Sequence, residues 1–376
     1  MNKDSINYLV LSDIHLGHRT NKTKDIINHL INYFNVNNKI FKKLDIIFIA
    51  GDMFDRLLSN NSEEFIMSMD YLTLLAMYCK QHNIKLRILE GTPSHDWKQV
   101  NVFNSILKNL DIDIDFKYIE TLHIEKMNDL GISILYVPDE YRETSIETLN
   151  EVKQLLIDNN LSKVDIAIMH GQFRYQLPIL LESSHNEDEY LNIVKYFISI
   201  GHIHSSSVYD RILAQGSFDR LAHNEEEDKG AMYITIYNSG HKEYRFIPNK
   251  LATLFKTFNY NEDISIEEIK KDLDTIKGVG NVRLRINIDD NKHSNIKDAL
   301  LSLRDKYKNL NIKIEYGKKE SDNVRVLDIE KSNEGFAITK DNIISLITNR
   351  IEQQDIPNDI RNIILSEAIE IHKEIN

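Results

Sequence analysis

The chain has 376 residues, 41% of them hydrophobic and 28% charged, a net charge of −12 and a single cysteine, Cys79. That length exceeds one small core and implies two or three domains of ordinary globular composition. One cysteine excludes an intramolecular disulfide, no apolar run is long enough for a membrane span, and the N-terminus lacks a signal-peptide pattern, so a cytoplasmic protein is expected. The acidic balance argues against coating nucleic acid by bulk electrostatics, but leaves room for a nuclease with bound cations and local basic patches.

The first element is Tyr8-Leu9-Val10-Leu11, a short apolar run that reads as a buried strand. It stops at Ser12 and is followed by Asp13, Ile14 and His15. Residues two apart on a strand share a face, so the carboxylate and imidazole are expected to project together from the strand's carboxyl end, where open α/β sheets bind ligands. Both are suitable donors for Zn, Mn or Fe. Asp-x-His is common by chance, so the pair gains weight only if other strands end alike.

Thr23–Phe34 carries Ile26, Ile27, Leu30, Ile31 and Phe34 at helical spacing. Leu44–Ala50 is continuously apolar, as a parallel strand covered on both faces should be, and runs into Gly51-Asp52-Met53-Phe54-Asp55. Asp55 reads as the cap of a following helix, whereas Asp52 reads as a site residue. Glu63–Lys80 is a second helix, apolar on more than one side, through core packing or a dimer face. Lys85–Leu89 is a strand that ends in Gly91-Thr92-Pro93-Ser94-His95-Asp96. Ser94, His95 and Asp96 are adjacent and cannot form a hydrolase triad.

Phe116–His123 and Ile132–Val137 read as strands and Ser145–Asp158 as a helix. Val164–Met169 is a buried strand ending in His170, and Tyr196–Ile200 is another, ending in Gly201-His202-Ile203-His204. A lone histidine after a strand is more often structural than a ligand. Five histidines and two aspartates after strand ends form a joint pattern that chance explains poorly.

Taken in order, Asp13-x-His15, Gly51-Asp52-x-x-Asp55, the turn with His95-Asp96, His170 and Gly201-His202-x-His204 resemble the calcineurin-like metallophosphoesterases. The wording of these motifs is similar to the SbcD-type nuclease subunit, in its tailed-phage versions. So is the closing segment Gln215-Gly216-Ser217-Phe218-Asp219-Arg220 … Asp228-Lys229-Gly230. The resemblance covers about residues 5–240. It implies an α/β, four-layer metallophosphoesterase β-sandwich with flanking helices, over residues 1–248. It further implies two divalent cations, expected to be Mn2+ with Mg2+ as the alternative. One would be held by Asp13, His15, Asp52 and His204, the other by Asp52, His170 and His202, with Asp52 shared. Such a pair generates hydroxide for in-line attack on a phosphodiester. His95 would meet the phosphate or leaving oxygen; His18 and Arg19, just beyond the first ligands, would either touch DNA phosphate or form a solvated loop. The family has asparagine directly before the catalytic histidine; here Ser94 stands there, a poorer ligand, so a more weakly held second cation is expected.

After about residue 248 the pattern changes to a small α/β unit, 249–320. It comprises helix Ile266–Ile276, strand Asn281–Ile288, helix Ile296–Tyr307 and strand Ile312–Tyr316. Lys297, Arg304, Lys306, Lys308 and Lys313 make it locally basic, although a solvated helix face would also carry them. In position it resembles the family's DNA-binding cap. A linker, 321–335, precedes helices Asp341–Ile351 and Asn358–Ile375 in the segment 336–376. The isoleucine stripe on the last helix needs burial, on this protein or a partner. The resemblance implies an SbcC-type coiled-coil ATPase partner, a homodimer and a role in DNA repair or recombination as an exo/endonuclease. A stand-alone phosphatase and a catalytically impaired assembly subunit are the competing readings.

Overall fold

The computed structural model describes residues 4–139, 141–179, 181–260, 265–276, 280–287, 300 and 302–317. In chain order these form β1 (Ser5–Leu11), α1 (Thr23–Phe41), β2 (Ile46–Ala50), α2 (Glu63–His82), β3 (Lys85–Leu89), α3 (Pro93–Asp96), α4 (Asn101–Asn109), β4 (Phe116–Ile119), β5 (His123–Met127), β6 (Ile132–Val137) and α5 (Ser145–Asp158). There follow β7 (Ile166–Gly171), α6 (Glu187–Ile193), β8 (Ile198–His202), β9 (Ser207–Tyr209), β10 (Ile212–Ala214), β11 (Gly230–Tyr237) and β12 (Lys242–Pro248). The last are β13 (Leu254–Tyr260), α7 (Ile266–Asp274), β14 (Gly280–Asn287) and β15 (Leu310–Gly317). The α/β class expected from the sequence is what forms.

Two six-stranded sheets carry the site, in the orders β12-β11-β1-β2-β3-β4 and β5-β6-β7-β8-β10-β9. Their central strands are parallel and apolar on both faces, because both faces are covered. Alternation divides each strand between two cores. Tyr8, Val10, Ile46 and Phe48 meet Ile134, Tyr136, Ile166 and Ile168 between the sheets. Leu9, Leu11, Ile47 and Ile49 turn the other way, onto α1, α2 and α4. Leu135, Val137, Ala167 and Met169 turn onto α5 and α6. The order through this part is therefore helices, sheet, sheet, helices.

The expected single strand Phe116–His123 is two strands. β4 closes the first sheet and β5 opens the second, so residues 120–122 carry the chain across the sandwich. An ionic group ties the sheets together there. Arg87 of β3, fully buried, donates from Nε and Nη2 to Glu125 of β5, both at 2.9 Å. Glu125 also accepts from Tyr136 (2.9 Å) and Lys117 (2.5 Å). Burial would raise the Glu125 pKa, but Arg87 and Lys117 outweigh it and hold the carboxyl at about 2. A carboxyl depressed on folding stabilises the protein above its unfolded pKa and loses that contribution as pH falls toward 2. Glu125→Gln, which leaves Arg87 undercompensated, is expected to cost about 3 kcal/mol at pH 7. Urea unfolding at pH 7 and pH 3 should show that cost shrinking at the lower pH; an equal cost at both would contradict the account.

The third sheet, β13-β14-β15, is parallel. Its core joins Val282, Leu284 and Ile286 to Ile269 and Leu273 of α7 and to Leu300 and Leu303. Residues 302–306 are helical, within the expected helix Ile296–Tyr307. By contact the chain divides into Met1–Lys318 and Lys319–Asn376. The expected linker and C-terminal helices lie outside the described residues.

Candidate metal centre

The donors gather where the parallel strands of both sheets end. After β1 and β2 the two segments stay zipped. Asp13 N–H donates to Gly51 O (3.1 Å), Ile14 and His15 N–H both donate to Asp52 O (2.9 and 3.1 Å), and Leu16 N–H donates to Met53 O (3.0 Å). Asp13, His15 and Asp52 all have left-handed backbone, with φ of 50°, 53° and 50°. Asp13 and His15 therefore converge through a kinked turn past the strand, not through the strand alternation expected from their spacing. Non-glycine residues held there carry strain, which packing must over-determine.

Two donor groups result. Asp13, His15 and His204 form one and Asp52, His170 and His202 the other, while His15, Asp52 and His95 make a third set that overlaps both. Asp52 lies between them, with Oδ1 3.3 Å from His170 Nε2 and Oδ2 3.6 Å from His15 Nε2. His15 Nε2 and His204 Nε2 are 3.2 Å apart. Two imidazole lone pairs approach so closely only around a proton or a cation. The backbone N–H of His202, a residue with φ of 101°, lies 3.0 Å from each oxygen of Asp13 and fixes that carboxylate.

The far nitrogen of two rings is hydrogen-bonded from behind, and that of a third stands near a carboxylate without a hydrogen bond. His170 Nδ1 lies 2.6 Å from Ala50 O, His204 Nδ1 2.8 Å from Glu225 Oε1, and His15 Nδ1 3.2 Å from Asp55 Oδ1. Each Nε2 is thereby aimed into the centre, the arrangement expected of metal-ligating histidines. His170 Nε2 is buried and has no hydrogen-bond partner. An orphaned buried nitrogen beside carboxylates, with mixed N and O donors, fits a divalent transition ion.

Imidazoles and carboxylates of the centre hold one another in their charged forms. Burial would lower the His170 pKa, but Asp52 outweighs it and holds the imidazole well above its ordinary value. Burial would raise Asp52, but His170 outweighs it and keeps the carboxyl well below. His204 is likewise raised, by Glu225 against burial. Cations entering the centre must displace the protons of those imidazoles, so affinity should weaken as pH falls.

His95 reaches the centre from α3. Its Nδ1 lies 2.8 Å from Asp52 Oδ2, and that contact raises its pKa. The ring is 36% exposed, so Nε2 is left toward the opening. Asp96 holds this turn in place. Buried, it accepts from Phe54 N–H (2.9 Å) and Gly91 N–H (2.7 Å).

Ser94 does not join the metal groups. It is exposed, and its carbonyl accepts from Trp97 Nε1. The side chain that enters from this turn is Thr92, with Oγ1 3.3 Å from Asp52 Oδ2 and 3.4 Å from His202 Nδ1. The two extra residues Pro93 and Ser94 form the start of α3 and carry the serine outward. Asp55 is not a helix cap. α2 begins eight residues later, capped by Ser62, whose Oγ accepts from Phe65 N–H. His18 is half-buried beside the centre, and its Nδ1 accepts from Thr20 and Asn21 N–H (3.3 and 3.1 Å). Burial lowers its pKa. Arg19 is exposed at the rim.

The closing segment packs on His204. Lys229, buried, donates to His204 O (2.9 Å) and lies 3.1 Å from Glu225 Oε2. Glu225, Thr92 and Asp139 are the residues that sequence reasoning passed over. Only Asp139 had a signal, since it too follows an apolar strand, β6.

No family model matches the sequence, and no curated protein matches it closely enough to count. Among solved structures, TT1561 of Thermus thermophilus is similar over 64% of this chain and 98% of its own, at 8% identity and a TM-score of 0.36. Another solved structure is similar over 64% of this chain and 99% of its own, at 10% identity and a TM-score of 0.37.

Proposed function

We propose that the chain is a calcineurin-like metallophosphoesterase of the SbcD type, a Mn-dependent DNA exo/endonuclease subunit. The observation that carries the reading is Asp52, one oxygen toward His170 and the other toward His15, which joins the group of His170 and His202 to that of Asp13, His15 and His204. Asp13, His15 and His204 would hold one cation, His170 and His202 the other, with Asp52 common to both. Two cations so placed supply a nucleophile at neutral pH and neutralise charge on the attacked phosphate. His95, anchored on Asp52 through Nδ1, presents Nε2 at the opening, where it can donate a proton to phosphate or leaving oxygen. Glu225 holds the His204 imidazole in the tautomer that keeps Nε2 forward.

A polyanionic substrate is supported by a cleft lined by Lys22, Arg220, Lys250 and Lys308, at the junction with the third sheet. Such a cleft offsets locally the net charge of −12. A homodimer is supported by the exposed Ile66, Leu74 and Met77 on α2. An SbcC-type ATPase, docking on the segment 336–376, and a host-cytoplasmic role in DNA repair or recombination complete the proposal.

The test is purified protein with Mn and end-labelled single-stranded DNA, beside a chromogenic phosphomonoester. DNA cleavage with little monoester turnover is expected. His95→Ala should bind two Mn per chain yet cleave about 100-fold or more slowly. Turnover of the monoester alone would instead make the protein a phosphatase, and metal binding without either activity an assembly subunit.

A further inference from the structure

The centre contains a donor that neither the motifs nor the family's ligand set includes. Asp139 is the second residue beyond β6, which pairs with β7 in register Val137↔Met169. β7 in turn pairs with β8, with Gly171 opposite His202. Three neighbouring strands of the second sheet thus end in Asp139, His170 and His202, side by side. Asp139 Oδ1 faces Gly171, where an added Cβ would lie 3.2 Å away. Oδ2 points the other way, 3.4 Å from His202 Nδ1 and 3.1 Å from Thr92 Oγ1. The Thr92 hydroxyl closes the ring, 3.3 Å from Asp52 Oδ2 and 3.4 Å from His202 Nδ1. The side chain of Asp139 is 13% exposed.

We infer that Asp139 is a protein ligand of the second cation, completing with Asp52, His170 and His202 the set that Ser94 leaves short. This rests on the two-cation reading above. Oxygen of a carboxylate suits Mn and Mg, and ligand charge strengthens such sites. The exchange also makes chemical sense of the altered turn. Ser94 is turned outward, and the oxygens that stand beside His202 are Asp139 Oδ2 and Thr92 Oγ1. The second site then has no deficit, contrary to the weak binding expected from the sequence. Asp13, Asp52 and Asp139 set three negative charges against the four positive charges of two divalent ions.

The competing role is that of a positioning residue, with Asp139 only orienting His202 and Thr92. Titration with Mn by calorimetry and with Co by visible absorption separates the two. Wild-type protein should bind two ions. Asp139→Ala should keep one at unchanged affinity and bind the other at least about 10-fold more weakly, with altered Co bands for that ion. Asp139→Asn, the same shape without the charge, should shift in the same direction and decides the matter if the alanine variant does not fold. Two ions at wild-type affinity in both variants, or weaker binding with unchanged Co bands, would overturn the assignment. Fewer than two ions in the wild type would overturn the two-cation reading and this inference with it.

Discussion

Asp52→Ala is expected to abolish tight binding of both ions and to lower DNA cleavage about a thousand-fold or more. The residue is 1% exposed, belongs to the group with His170 and His202, and lies 3.6 Å from His15 of the other. Its loss removes a ligand from each ion and leaves the facing imidazoles of His170, His15 and His95 without their common carboxylate. Stabilisation of the phosphoryl transition state by the cations amounts to several kcal/mol, and about 4 kcal/mol is about a thousand-fold in rate. Asp52→Asn keeps the shape and one oxygen donor but not the charge, and should fall between the alanine variant and the wild type in Mn affinity. Mn titration of the two variants, with cleavage at saturating Mn, reads both effects. Two tight sites in Asp52→Ala would remove Asp52 from its central place.

Gly51→Ala should be nearly as damaging to the site and worse for stability. Gly51 has φ of +83°, and a Cβ there would lie 2.1 Å from His170 Nδ1 and 2.8 Å from Gly91 Cα. The close atoms belong to a buried ligand and to backbone, so neither can swing away. Left-handed backbone and overpacking each cost about 1–3 kcal/mol, which gives roughly 2–6 kcal/mol for the substitution. His170 would also be pushed off Ala50 O, the acceptor that sets its tautomer. A fall in the urea midpoint together with loss of the second ion is expected. Wild-type stability with two ions bound would show that the β2 exit is looser than its geometry.

The parts of the fold that were legible in the sequence are those with a strong local cause. Lys85–Leu89, Ile132–Val137 and Ser145–Asp158 form with the expected bounds, because an alternating strand, a largely apolar strand and a capped amphipathic helix leave little choice. Part of what was missed lacks that cause, although the apolar strand β11 was passed over too. β9 and β10 have three residues each, too few for a pattern. The strand expected at 116–123 divides because two sheets compete for it, which no local preference records. α4 carries Asn101, Asn104 and Asn109, poor helix formers, and forms by packing Phe103 and Leu107.

The centre divides along the same line. The histidines and aspartates could be read because they gather at or shortly after the ends of β1, β2, β3, β7 and β8. The groups that hold them could not. Glu225 lies in a polar run and reaches His204 only through the fold. Asp55 has a residue type and position that suit a cap, and nothing in the sequence places it against His15. Thr92 replaces Ser94 because α3 turns one outward and the other inward, a matter of two residues of backbone.

The claim on which the rest depends is that two cations share Asp52 at one centre. Electron paramagnetic resonance of the protein with two equivalents of Mn tests it most directly. Ions within about 4 Å are exchange-coupled, and the account predicts a coupled spectrum that gives way to an isolated-ion signal at one equivalent and to the signal of unbound Mn in Asp52→Ala. An isolated-ion signal of doubled intensity at two equivalents, with no coupling, would contradict it.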